Sequence, residues 1–305
     1  MIWNDYKAEI QEIDLSTITN QDLKLSILRE DLIHPEISGN KFRKLKYNFL
    51  EAEKLGFNQL LTFGGAFSNH IAATAAAGKL HGFKTIGLIR GEELKDKIDT
   101  NATLRFAKKC GMELHFISRE TYREKSNSFF IEDLKNKFPS TYVVPEGGTN
   151  NLAINGCKEI LFDQCDEFNF IASAIGTGGT IAGLIEASKP HQHLLGFPSL
   201  KGDFLQKEVE NLTKKRNFTI FNEYHFGGYG KVNEELINFV NYFKKTTQIQ
   251  LDPIYTGKMV FGVLQLIKNH YFSNSSKILM VHTGGLQGIE GMNEKLKSKN
   301  KTIIA

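Results

Sequence analysis

The chain has 305 residues, with 38 Lys plus Arg against 34 Asp plus Glu and 41% apolar residues. A net charge of +4 with 24% charged residues is ordinary for a folded globular protein, so a disordered chain is excluded and charge alone makes no case for nucleic acid. No run approaches 18 apolar residues, and the first ten carry Asp5, Lys7 and Glu9, so neither a membrane span nor a secretory leader is expected.

In chain order, apolar periodicity predicts a helix over 41–54, a strand over 59–63, a helix over 69–81 and a strand over 85–89. A helix over 99–110 and a strand over 113–117 follow. The polar stretch 119–127 reads as a loop leading into a helix over 128–137. Next come a strand over 142–144, a helix over 151–162, a strand over 169–175, a helix over 178–188 and a strand over 194–197. Helices over 232–245 and 256–269, a strand over 277–282 and a helix over 286–295 complete the pattern. Short strands alternating with longer helices predict a parallel sheet with crossover helices, in one large domain or two interlocked ones.

Glycine numbers 27 against 6 prolines, and many of these glycines stand where a strand becomes a helix. Strand 59–63 runs into Gly64, Gly65, Ala66, Phe67, Ser68, Asn69 and His70. Strand 169–175 runs into Gly176, Thr177, Gly178, Gly179 and Thr180. Strand 277–282 runs into Thr283, Gly284 and Gly285, and Pro145, Glu146, Gly147 and Gly148 link 142–144 to the next helix. Glycine lets the backbone turn sharply and approach a ligand closely, and the following helix offers unpaired N–H groups. In open α/β sheets this edge is where ligands bind.

Other signals are weaker. Three cysteines, Cys110, Cys157 and Cys165, fit neither a disulfide framework nor a paired-cysteine zinc site, and a reducing cytoplasm is the simplest compartment. Nine scattered histidines without an HExxH motif predict no metal. The basic clusters Lys214, Lys215, Arg216 and Lys295, Lys297, Lys299, Lys301 read as solvated faces.

Each candidate motif has a plain structural alternative. Loop 176–180 suits a phosphate, with amides, two hydroxyls and a helix start, or it is simply a tight turn. It is not a P-loop, and the dinucleotide fingerprint fails because residue 181 is Ile181. Ser68 and Asn69 either cap a helix or grip a carboxylate. Lys41, Arg43, Lys44 and Lys46 form a basic helix start or include a lysine that forms an imine with a carbonyl cofactor. Tyr229, among glycines, and Tyr255, two residues after Pro253, either pack or face a ligand.

Taken in order, these stretches together with Leu251 to Lys258 resemble the fold-type II pyridoxal-phosphate enzymes, closest to the branch of 1-aminocyclopropane-1-carboxylate (ACC) deaminase and D-cysteine desulfhydrase. The resemblance implies an α/β fold of two interlocked open-sheet domains, like the tryptophan synthase beta subunit, with the cofactor cleft between them. The large domain would take 1–44 and 151–305, and the small mobile one 45–150. It implies pyridoxal 5'-phosphate as cofactor, a small amino acid as substrate and a homodimer, while composition and charge point to the cytoplasm and to no membrane or nucleic-acid partner.

The family suggests roles as well. Lys41 would form the imine and move the substrate's α-proton, and Asn69 would bond the cofactor's ring hydroxyl. Ser68, Asn69 and the His70 amide would hold the substrate carboxylate, with Ser68 assisting proton transfer. Gly176, Thr177, Gly178, Gly179 and Thr180 would bind the phosphate, with Lys44 adding a cation. Tyr229 and Tyr255 would face the substrate. ACC deaminases carry Glu after the second tyrosine, but Thr256 stands here, so Thr256 or Thr283 would meet the pyridine nitrogen. A hydroxyl partner gives a weaker electron sink, suited to eliminating a good leaving group from Cβ. The expectation is D-cysteine conversion to pyruvate, ammonia and sulfide. Alternatives are ACC, D-serine, an L-amino acid, a racemisation, a dinucleotide-dependent oxidoreductase or a non-catalytic binding relative.

Overall fold

In the computed structural model, which describes Trp3 and residues 6–305, ten strands form two sheets. They are β1 (Ile10–Ile13), β2 (Leu23–Leu28), β3 (Gln59–Gly64), β4 (Lys84–Arg90), β5 (Glu113–Ile117), β6 (Tyr142–Val144), β7 (Phe170–Ile175), β8 (His193–Pro198), β9 (Phe218–Ile220) and β10 (Ser276–Val281). The helices are α1 (Asn40–Lys54), α2 (Asn69–His81), α3 (Ala102–Lys109), α4 (Arg119–Arg123), α5 (Ser128–Lys137), α6 (Asn151–Lys158), α7 (Gly179–Ala187), α8 (Phe204–Leu212), α9 (Glu234–Thr247), α10 (Thr256–Lys268) and α11 (Gly288–Lys297).

The chain divides into two compact units. One takes Trp3, Pro35–Ile37 and Lys41–Gly156; the other takes 6–34, Ser38–Asn40 and Cys157–Ala305. The first holds a parallel sheet ordered β5-β4-β3-β6. Its strands read as continuous apolar runs because both faces are covered: Leu60, Leu61, Thr62, Phe63 and Gly64 are all buried. Helix α2 is buried from His70 to Gly78, and its alanines let it lie close to the sheet. Gly78 has room for no methyl group, since one would overlap the Thr85 side chain. Ser68 caps α2 at one end, and Gly82, at φ 73°, turns the chain at the other.

The second unit holds the sheet β1-β2-β10-β7-β8-β9, parallel except for the edge pair β1–β2. Its core gathers Leu25, Ile27, Ala172, Leu195, Ile278 and Met280 against α9 and α10 side chains such as Val240, Val260 and Val263. The crossover arrangement puts the ends of β7 and β10 on one edge.

Several elements depart from the sequence expectation. Strands β1, β2 and β9 and helix α8 lie in stretches where no element is predicted. Strand β2 is interrupted by Lys24 and Ser26 and becomes a strand through its ladders to β1 and β10. Segment 119–127 is not a loop: Ser118 accepts a bond from the Thr121 N–H and starts α4. Helix α3 starts later than expected because Asn101 caps it through the Leu104 N–H. Helix α6 stops at Lys158, short of the expected 162.

Helices α1 and α6 approach at Gly156, where an added Cβ would overlap the Arg43 carbonyl. In an open helix, Gly→Ala stabilises by about 1 kcal/mol. Here the sign should reverse. Gly156→Ala is expected to lower the urea midpoint, at a cost of about 1–3 kcal/mol; a gain in stability would show that the two helices part easily.

Candidate active site

In the second unit, β7 ends at Ile175 and loop 176–180 turns into α7. Gly178 sits at φ 79° and caps α7 with no side-chain bond, leaving first-turn N–H groups for a ligand. A Cβ on Gly176 would stand 3.1 Å from Cε1 of Tyr255, so the Tyr255 ring lies on the bare backbone. Thr180 is buried, and its hydroxyl accepts a bond from the Asn40 side-chain amide at 2.7 Å. These amides, hydroxyls and the helix dipole fit a phosphate ester, and glycine keeps the backbone approachable.

Asn40 ties this loop to the end of β10. Its backbone N–H donates to the Thr283 carbonyl at 3.3 Å. Gly39, at φ 65°, lies against the same carbonyl with no space for a Cβ. Asn40 is the first residue of α1, and Lys41 is the next residue in the chain.

Tyr229 and Tyr255 meet edge to face, with ring centroids 6.1 Å apart. Tyr255 is fixed through its backbone. The buried Asp252 carboxylate accepts the N–H groups of Ile254, Tyr255 and Thr256 at 2.8–2.9 Å, capping α10. The Thr256 hydroxyl donates to Asp252 Oδ1 at 2.7 Å and accepts the Asp252 N–H at 3.0 Å. Its one proton is therefore committed. Thr283, 8% exposed, is the candidate hydroxyl not engaged with Asp252.

In the first unit, Lys44 is buried, and its ammonium donates to the Gly147 carbonyl at 3.2 Å and the Thr149 hydroxyl at 3.0 Å. Ser68 Oγ accepts from the Ile71 N–H at 3.3 Å, which leaves its own proton available. Asn69 and His70 open α2, so their amides have no carbonyl within the helix.

The His70 side chain is turned into the core. It is 1% exposed, and Nε2 lies 2.7 Å from Thr62 Oγ1. Thr62 spends its proton on the Val144 carbonyl at 2.8 Å, so His70 Nε2 must be the donor. His70 Nδ1 is then a buried acceptor with no partner. Burial, with the charges of Lys41 and Lys44, holds the ring well below the ordinary histidine value and therefore neutral.

Sequence reasoning missed Asn40, Thr62 and Asp252. The D-x-x-x-T spacing ahead of α10 is a capping signal that could have found Asp252. Asn40 precedes Lys41 in the basic stretch, but its partners Thr180 and Thr283 are far along the chain, as is the Val144 carbonyl that Thr62 reaches.

The His70 site sets an acid response. Because the folded value lies below the unfolded 6.5, the unfolded chain gains a proton below about pH 6.5 that the folded one refuses. Stability should fall as pH drops through that range. His70→Gln, which keeps a donor for Thr62, should flatten the fall in urea melts between about pH 7 and pH 5; an unchanged slope would refute the assignment.

Known proteins bear directly on this arrangement. The family described as "Pyridoxal-phosphate dependent enzyme" matches residues 13–284. The chain is 30% identical over 293 residues to the mitochondrial bifunctional D-cysteine desulfhydrase/1-aminocyclopropane-1-carboxylate deaminase of Arabidopsis thaliana, covering 87% of this chain and 73% of that one. It is 30% identical over 291 residues to the D-cysteine desulfhydrase of Klebsiella pneumoniae (strain 342), covering 86% and 87%. A crystal structure of an ACC deaminase homologue superposes with a TM-score of 0.79 at 29% identity, covering 96% of this chain and 94% of the other. With the glycine loop at the end of β7 and this match over most of its length, the chain belongs to the pyridoxal-phosphate-dependent enzyme family.

Proposed function

We propose that this enzyme is a carbon–sulfur lyase that converts D-cysteine to pyruvate, ammonia and sulfide by α,β-elimination. The observation that carries the reading is the residue after Tyr255. Thr256 stands there, fully buried, with its proton given to Asp252. A carboxylate at this position would keep a pyridine nitrogen protonated and the electron demand high. A hydroxyl such as that of Thr283 leaves the nitrogen neutral, which suits loss of a thiolate from Cβ better than opening of a cyclopropane ring. The desulfhydrase names of the relatives support the same reading.

When bound, pyridoxal phosphate supplies the electron sink that stabilises negative charge at the substrate Cα. The chain's own residues do the rest. Lys41 would hold the cofactor's carbonyl through its amine and, once the substrate's amino group has displaced that amine, would carry the α-proton. Asn69 bonds the ring hydroxyl. Gly176, Thr177, Gly178, Gly179 and Thr180 hold the phosphate, and Lys44 adds positive charge while it fastens Gly147 and Thr149. The Ser68 hydroxyl and the amides of Asn69 and His70 hold the carboxylate. Tyr229 and Tyr255 face the substrate.

We extend the reading to a homodimer in the cytoplasm. The three cysteines are buried thiols, which supports a reducing compartment. Among the described residues no helix is long and apolar enough to cross a membrane.

Two measurements test the function. Protein supplied with the cofactor should show a visible absorbance band that Lys41→Ala lacks, and that variant should lose about 10³-fold or more in turnover. A panel of D-cysteine, L-cysteine, D-serine and ACC, assayed for keto-acid release, should show D-cysteine at least about tenfold ahead of ACC in kcat/KM. Comparable ACC cleavage would overturn the argument from Thr256.

A further inference from the structure

Lys258 is a further buried lysine, in the same unit as loop 176–180, and the roles given so far do not use it. It lies one turn into α10, and its side chain is fully buried. Its ammonium donates to the His225 carbonyl at 2.8 Å and the Gly228 carbonyl at 2.9 Å. Those carbonyls belong to the loop that carries Tyr229.

That loop is an expensive backbone conformation. Phe226, Gly227, Gly228 and Gly230 have φ of 52°, 88°, 109° and 64°. Phe226, which is not glycine, bears the steric cost of the left-handed region. The internal bonds are short-range: Gly227 N–H to His225 Nδ1 at 2.9 Å, Gly228 N–H to the His225 carbonyl at 3.0 Å, and Lys231 N–H to the Gly228 carbonyl at 3.1 Å. Helix α10 holds the loop from outside at two points. One is the Lys258 ammonium. The other is Phe261, whose ring meets Phe226 edge to face at 5.0 Å.

We propose that Lys258 is the positioning residue for Tyr229, the buried cation that fixes the left-handed loop so that Tyr229 stands against Tyr255. Helix α10 then sets both tyrosines, Tyr255 through the Asp252 cap and Tyr229 through Lys258. The inference rests on the reading that these tyrosines face the substrate. Burial lowers the Lys258 ammonium to about 8, and Asp252 opposes that shift. The other titratable side chains on the joined segments are His225, Tyr229, Lys231 and Tyr255, with Glu223 and Tyr224 just ahead and Lys201 packed against Gly228. Above about pH 8 the amine loses its charge and a donor, and its hold on the two carbonyls weakens.

The test uses cofactor-loaded wild type, Lys258→Met, Tyr229→Phe and the double variant. Lys258→Met should speed amide hydrogen exchange across 225–231 and leave β10 protected. It should raise KM for D-cysteine by about tenfold with kcat and cofactor absorbance little changed. In the Tyr229→Phe background the same substitution should change KM hardly at all. An unaltered exchange pattern in folded Lys258→Met, or a KM rise that persists without the Tyr229 hydroxyl, overturns the proposal. Should Lys258→Met fail to fold, wild type alone decides: KM and loop exchange should rise above about pH 8 relative to β10, and a flat profile overturns it. Absence of D-cysteine turnover in wild type would defeat the functional reading, while loop exchange would still report on Lys258.

Discussion

The start of α1 is fixed by a residue that cannot carry a side chain. Gly39 lies against the Thr283 carbonyl in a left-handed conformation, and only there can Asn40 reach both that carbonyl and the Thr180 hydroxyl. Three chain segments converge on this contact: the end of β10, the loop after β7 and the entry to α1. The next residue in the chain is Lys41. The glycine supplies the close approach, and the asparagine supplies the direction.

Three buried charges are met by backbone groups: Lys258 by two carbonyls, Asp252 by three N–H groups, and Lys44 by one carbonyl beside the Thr149 hydroxyl. Such partners are rigid, so the charge costs little ordering and fixes loop geometry in return. Each also stands beside a segment expected to touch ligand. Asp252 holds Tyr255, Lys44 holds the Gly147–Thr149 turn, and His70 is kept neutral beside two lysines.

Much of this was legible in the sequence where local pattern and tertiary environment agree. Strands β3, β4, β7, β8 and β10 are covered on both faces, so they read as apolar runs, and the glycines that follow three of them marked the ligand edge. Strand β2 was not legible, because Lys24 and Ser26 break its apolar run and its two neighbours supply the ladder. Strand β9 is three residues long, too short for a period to show. At the site, glycine loops announce themselves because few other residues tolerate their backbone. Lys258 does not, since a lysine in a helix reads as solvated until the fold places two carbonyls beside its tip.

The three native thiols have a practical consequence. Cys110, Cys157 and Cys165 are buried, and for Cys165 burial strongly disfavours the thiolate that reagents attack. A cysteine introduced on an exposed position such as Lys231 would therefore be the one readily modified thiol, with the native three left in place. A dye attached there would report the motion of the Tyr229 loop directly.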